Sequence, residues 1–133
     1  PNGSFSFNDE DKSDEFIGCC NAMIEGMKTG LFNTVAHPDR FFRRCKKWTA
    51  EMTDISNELI ATASQNNIIL EKNLASYEKL VEKSNYNYWR SEFWNLVDQY
   101  NCDTSKPVNT IIGYDAHATE QMKKRMDYIK LIK

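Results

Sequence analysis

Apolar positions along this chain follow two alternating patterns, one recurring every three or four residues and the other running continuously through short stretches. Phe16, Cys20, Met23 and Met27, with Ile17 and Ile24 beside them, place a single stripe along a helix over residues 14–28. Ser13 is its candidate N-cap and Gly30 its stop. Leu31 to Ala36 is a short apolar run ending at His37-Pro38-Asp39. Proline has no N–H to give a ladder and biases the residue before it away from the helical region, so this run predicts a strand ending in a loop. The helical pattern returns over 45–65 through Trp48, Met52, Ile55, Leu59 and Ala63, until Asn66-Asn67 breaks it. Ile68-Ile69-Leu70 opens a second strand that ends near Glu71-Lys72-Asn73. A short helix is predicted over 75–83 and a clearer one over 86–100, where Trp89, Phe93, Leu96 and Tyr100 share a face. Thr104 to Pro107 turns the chain into a third strand, Val108 to Ile112, ending at Gly113-Tyr114-Asp115-Ala116-His117. A last helix begins near Thr119 and carries Met122, Met126 and Ile129.

Short, continuously apolar strands alternating with amphipathic helices predict an α/β fold built on a parallel sheet or barrel. A closed barrel of eight strands takes about 250 residues. With three strands, residues 1–133 are expected to form a single domain that is the C-terminal portion of such a barrel. The chain opens Pro1-Asn2-Gly3 without an initiating Met and runs through the polar stretch Asn8 to Asp14. Residues 1–13 therefore read as a loop entered from a missing upstream part of a longer protein.

Composition narrows the function classes. Apolar residues make up 41% and charged residues 27%, enough to bury a core and too apolar for disorder. Seventeen Lys and Arg against nineteen Asp and Glu leave a net charge of -2, which argues against nucleic acid or an anionic membrane as partner. No apolar run approaches the roughly 20 residues of a membrane helix, and no signal peptide opens the chain. The reading is a soluble, cytoplasmic protein. Cys19, Cys20, Cys45 and Cys102 lack the CxxC spacing of structural zinc and read as reduced, mostly buried small hydrophobes. Trp48, Trp89 and Phe93 lie on apolar helical faces and read as core rather than base-stacking residues, with Trp94 off that stripe and partly exposed. The Lys123-Lys124-Arg125 run reads as the wet side of the last helix.

The chain's two histidines both fall at the predicted C-terminal end of a strand, the edge where parallel α/β folds gather ligands and catalytic groups. His37 ends the first strand; Asp115 and His117 end the third. Two imidazoles and a carboxylate form a reasonable donor set for a borderline divalent metal, and residues two apart on a regular strand point the same way. The alternative is that each is an ordinary polar loop residue. Arg40, Arg43 and Arg44 follow His37 directly, and the guanidinium fork matches phosphate oxygens. Arg40 and Arg43 are the candidate phosphate-binding residues; Arg44 reads as a solvated helix start.

Taken in order, Val35-Ala36-His37-Pro38-Asp39, Leu70-Glu71-Lys72-Asn73 and Ile112-Gly113-Tyr114-Asp115-Ala116-His117 resemble the later motifs of the polymerase and histidinol phosphatase (PHP) family of metallohydrolases. Gly30 to Phe42 most resembles the histidinol-phosphatase branch, and the likeness spans roughly residues 14–125. The resemblance implies a distorted (β/α)7 TIM-like barrel holding two or three divalent ions, Zn, Mn or Fe, in its mouth. It implies hydrolysis of a phosphate monoester, with histidinol phosphate of histidine biosynthesis the first candidate among phosphorylated small molecules. By the same likeness His37, Asp115 and His117 are metal ligands. Asp115 is also the catalytic group that takes a proton from the attacking water. Glu71 and Asn73 act behind the ligands.

Two departures accompany the resemblance. Tyr114 stands where the family has a small residue, often Ser. The family's first motif, a histidine pair, is absent, because no histidine precedes His37. This chain alone would then supply about half of a site and is expected to be inactive without its missing N-terminal barrel part. The rival readings are a related phosphatase acting on phosphotyrosine or a nucleotide, and an incomplete, non-catalytic domain that packs against a partner.

Overall fold

A computed structural model describes residues 13–132. Residues 1–12, on which most of the predicted entry loop falls, lie outside the described residues, as does the side chain of Ser13, the candidate cap. The described residues form an α/β unit with five α-helices and a small open sheet of three parallel strands in the order β1-β2-β3.

Helix α1 (Ser13–Met27) buries Phe16, Cys20 and Met27 of the predicted stripe together with Ile24 beside it, while Met23 is only half-buried, and Gly30 takes the positive φ of 77° that turns the chain away. Strand β1 is only Thr34–Val35, shorter than the apolar run suggests, and Leu31 is 86% exposed. The run is apolar, but it pairs with β2 only through Thr34↔Ile69 and Val35↔Leu70. After His37 a 3-10 segment, Pro38–Phe42, starts with proline at its first position, where a missing N–H costs nothing.

Helix α2 (Ala50–Gln65) starts five residues later than its apolar pattern suggests. Thr49 caps it there, its hydroxyl accepting the Met52 N–H at 3.3 Å. Strand β2 (Ile69–Asn73) runs straight into α3 (Leu74–Lys83), because the Asn73 side chain accepts the Ser76 N–H at 3.0 Å and caps the new helix. Helix α4 (Ser91–Asp103) is also shorter than predicted, starting after Arg90 instead of at residue 86. Strand β3 (Thr110–Gly113) pairs with β2 from Leu70↔Thr110 to Asn73↔Gly113, and α5 (Thr119–Ile132) closes the described chain.

The two faces of the sheet differ. Val35 and Leu70 belong to one buried cluster with Ile24, Leu59, Ala63, Phe93 and Val97, drawn from α1, α2 and α4. Of the residues alternating with them, Thr34 is exposed, Ile69 and Glu71 are half-buried, and Ile111 is 51% exposed. Trp94, expected partly exposed, is buried; its ring packs edge-on against Phe93 with centroids 5.0 Å apart. The last helix also departs from its pattern. Met122 and Met126 are exposed, and the buried residue is Arg125, which lies on the same stripe. All four cysteines are free; Cys20 and Cys45 are buried and Cys19 and Cys102 exposed. None of the described helices is long and apolar enough to cross a membrane.

Candidate functional site

The carboxyl edge of the sheet gathers the end of every strand. His37 leaves β1 in the left-handed region, φ 30°, and its backbone N–H donates to Glu71 Oε1 at 3.0 Å. The Asn73 amide donates to the same oxygen at 3.3 Å. A Cβ at Gly113 would overlap the Glu71 side chain, so any larger residue there would push that carboxylate from its place. One carboxylate thus touches the ends of all three strands.

Arg40 projects from the 3-10 segment and is held on three sides. Its Nε donates to Ser76 Oγ at 2.9 Å, its Nη2 to Asn73 Oδ1 at 3.3 Å, and its guanidinium carbon lies 5.4 Å from the centre of the Tyr88 ring. Asn73 therefore caps α3, braces Glu71 and aims Arg40. Arg43 donates to the Arg40 carbonyl at 3.5 Å and lines a separate groove of about 380 Å³ with His37, Phe41 and Met23.

Asp39 sets where this segment sits. Fully buried, it accepts the Arg90 N–H at 2.9 Å and the Trp94 indole N–H at 3.0 Å through Oδ2, while Oδ1 has no hydrogen-bond partner. Burial pushes its carboxyl up to about 7, against those two donors that favour the ionised form. The loop bearing His37 and Arg40 is thereby fastened to the start of α4.

Beyond Gly113 the chain leaves the strand geometry, and Asp115 takes φ 50°. Asp115 and His117 still meet, Oδ1 to Nε2 at 3.6 Å, although not through regular strand alternation, and their side chains are 39% and 84% exposed. The loop is held from behind by Arg125, expected on the wet side of its helix. Its guanidinium donates to Glu78 Oε2 at 3.1 Å and to the carbonyls of Tyr114 and Asp115. Between α3, α5 and this loop lies a cavity of about 290 Å³ lined by Arg40, Lys79, Lys83, Asp115, His117 and Arg125.

Burial and then the Arg40 guanidinium lower the His37 pKa, against a hydrogen bond with its own backbone and the charges of Glu71 and Asp115, so the imidazole is held toward its neutral form. Neutral imidazole is the form that ligates a metal or accepts a proton. Among the described residues, however, no three His, Cys, Asp or Glu side chains group closely enough to hold a metal ion. Asp115 and His117 make a two-donor pair, His37 stands apart from it, and Arg40, Lys79 and Arg125 line the same cavity. By themselves these residues do not fit a resident divalent cation.

The sequence brings out His37, Arg40, Asp115 and His117, and all of them lie at this edge. It misses Lys79 and Arg125. The signal for Arg125 is its place between Met122 and Ile129, three and four residues away, on the face predicted to pack. Compared with family models, curated proteins and solved structures, the chain matches nothing.

Proposed function

We propose that this chain is part of a phosphate-monoester hydrolase whose reaction centre lies at the carboxyl edge of the sheet. The observation that carries the reading is Arg40, fixed by Ser76, Asn73 and Tyr88 beside a cavity whose rim holds Asp115 and His117. A pre-oriented guanidinium suits the phosphate oxygens, and binding it in advance removes part of the cost of ordering the substrate. In this reading Asp115, beside His117, takes a proton from the attacking water. The likeness of the three strand ends to the PHP motifs adds the expectation of a (β/α)7 barrel and of Zn, Mn or Fe. Both require ligands beyond those described here, so no step is assigned to a metal.

The test is hydrolysis by the native protein of histidinol phosphate, a phosphotyrosine peptide and a nucleoside monophosphate, each with added Zn, Mn or Fe and again after chelation. Asp115→Asn is expected to lower turnover about 10²-fold or more, in line with loss of a catalytic proton acceptor. Undiminished hydrolysis in that variant overturns the assignment. Metal dependence shows as loss of activity on chelation.

A second reading is a non-catalytic domain that packs against a partner. It is favoured by the exposed face of the sheet at Thr34 and Ile111. Lack of hydrolysis across the panel, with every metal, would favour it.

A further inference from the structure

The cavity beside Asp115 holds more positive charge than one phosphate monoester needs. Four cations line it, Arg40, Lys79, Lys83 and Arg125, against two carboxylates, Glu78 and Asp115. Glu78 is already engaged with Arg125 at 3.1 Å. Among the described residues the ion pairs in this region are Arg125–Glu78 and Lys124–Glu82, with Asp115 beside His117, and none of these takes up Lys79 or Lys83.

Lys79 is the telling group. Its ammonium stands 4.2 Å from the centre of the Tyr88 ring, whose other cation is Arg40 at 5.4 Å. Burial lowers its pKa first, then Arg40; Asp115 opposes this, and Lys83 and Arg125 lower it further. Lys79 and Lys83 lie one helical turn apart on α3, and Arg40 is hydrogen-bonded to Ser76 about one turn before Lys79, so the three cations follow one another along the α3 side of the cavity. Cations held this close repel one another, and an anion seated among them relieves that repulsion. Tyr88 and the backbone of α3 keep the arrangement in place when no anion is present.

We infer that this cavity takes a small molecule bearing two phosphoryl groups, the first at Arg40 near the Asp115 edge and the second between Lys79 and Lys83. The inference rests on the reading of this edge as a phosphate-ester site and names the substrate class for it. An amine-bearing monophosphate such as histidinol phosphate would bring its ammonium into the same cationic surroundings, so it binds more weakly than a bisphosphate.

Calorimetric titration of the chain with orthophosphate, pyrophosphate and histidinol phosphate, in chelator and at one fixed ionic strength, tests this. Pyrophosphate is expected to bind about tenfold more tightly than orthophosphate, the difference coming from the second pair of charge-assisted contacts. Lys83→Gln, at an exposed position that does not threaten folding, should narrow that gap. Lys79→Gln with Lys83→Gln should shrink it to about threefold or less, while Lys47→Gln, outside the cavity, leaves it unchanged. Equal affinity for the two anions, no binding of either, or a gap that survives the double substitution overturns the inference. The titration reads binding without turnover. It can therefore fail while Asp115-dependent hydrolysis stands, and it can succeed if hydrolysis is never found.

Discussion

Helices α2 and α5 have similar lengths, 16 and 14 residues, and are held to the molecule in opposite ways. Helix α2 buries Met52, Ile55, Leu59, Ile60 and Ala63 in the central cluster. Helix α5 leaves Met126 and Leu131 more than half exposed and buries a guanidinium instead. Its attachment to α3 is mainly polar, Arg125 to Glu78, Lys124 to Glu82 at 2.8 Å and the Tyr128 hydroxyl to Glu82 at 2.6 Å, beside one edge-on ring contact of Tyr128 with Tyr77. Apolar burial is not directional and changes little with solution conditions, whereas charged contacts depend on salt, pH and any ligand bound nearby. The scaffold half is thus fixed by packing. The half that positions Asp115 and His117 is fixed by hydrogen bonds to charged groups, so its position can respond to what occupies the cavity.

The largest expected effect lies on the packed side. Leu59 is fully buried between α1, α4 and the sheet. Leu59→Ala should cost about 2–5 kcal/mol of global stability, since the surrounding side chains collapse only partly into the space left. Urea denaturation followed by circular dichroism measures it. A loss below about 1 kcal/mol would mean that α2 is not the packed element described here.

A smaller, local effect is expected on the polar side. Arg125→Met keeps the volume and removes the donors to Glu78 and to the Tyr114 and Asp115 carbonyls. Hydrogen bonds to charged groups contribute about 1.5–3 kcal/mol, so protection of the α5 amides should fall by roughly that amount. Protection of the α2 amides should stay as it was. Native-state hydrogen exchange separates the two, and equal loss in both helices would erase the contrast.

The same contrast decides what was legible in the sequence. Elements whose apolar face meets the core are readable from spacing. The α1 and α2 stripes, the parallel strands and the placing of both histidines at strand ends follow from it. Elements held by polar contacts are not. Arg125 shares its stripe with Met122 and Ile129, and composition favours the methionines as the packing residues. The structure buries the arginine because two backbone carbonyls and Glu78 are there to receive it. Trp94 misleads for a related reason: its indole N–H finds the buried Asp39 carboxylate, a contact 55 residues away in sequence that no local pattern reveals. The convergence of Arg40, Ser76 and Asn73 is likewise long-range, made only when β2 brings the start of α3 under the 3-10 segment.

The smallest effect, and the sharpest test of the contrast, is a pH-dependent release of α5 alone. Lys124 and Tyr128 both donate to Glu82 and hold its carboxyl below the ordinary glutamate value of 4.5. A carboxylate with a lowered folded pKa adds stability that is present above the ordinary value and is lost as pH falls through the folded one. The alkaline side mirrors this. The Tyr128 hydroxyl, bonded to Glu82, is pushed up to about 12, so its contribution holds below its ordinary value of 10.0 and fades as pH climbs toward 12. Between those limits the docking of α5 should be flat with pH. Below 4.5 the α5 amides should lose protection while those of α2, which has no comparable carboxylate contact among the described residues, keep theirs. Because this attachment is solvent-exposed, added salt should weaken it in the same direction. Nuclear magnetic resonance of the amides across a pH series reads both helices at once. If α2 and α5 lose protection together on acidification, α5 is part of the same cooperative core, and polar contacts are not what places Asp115 and His117.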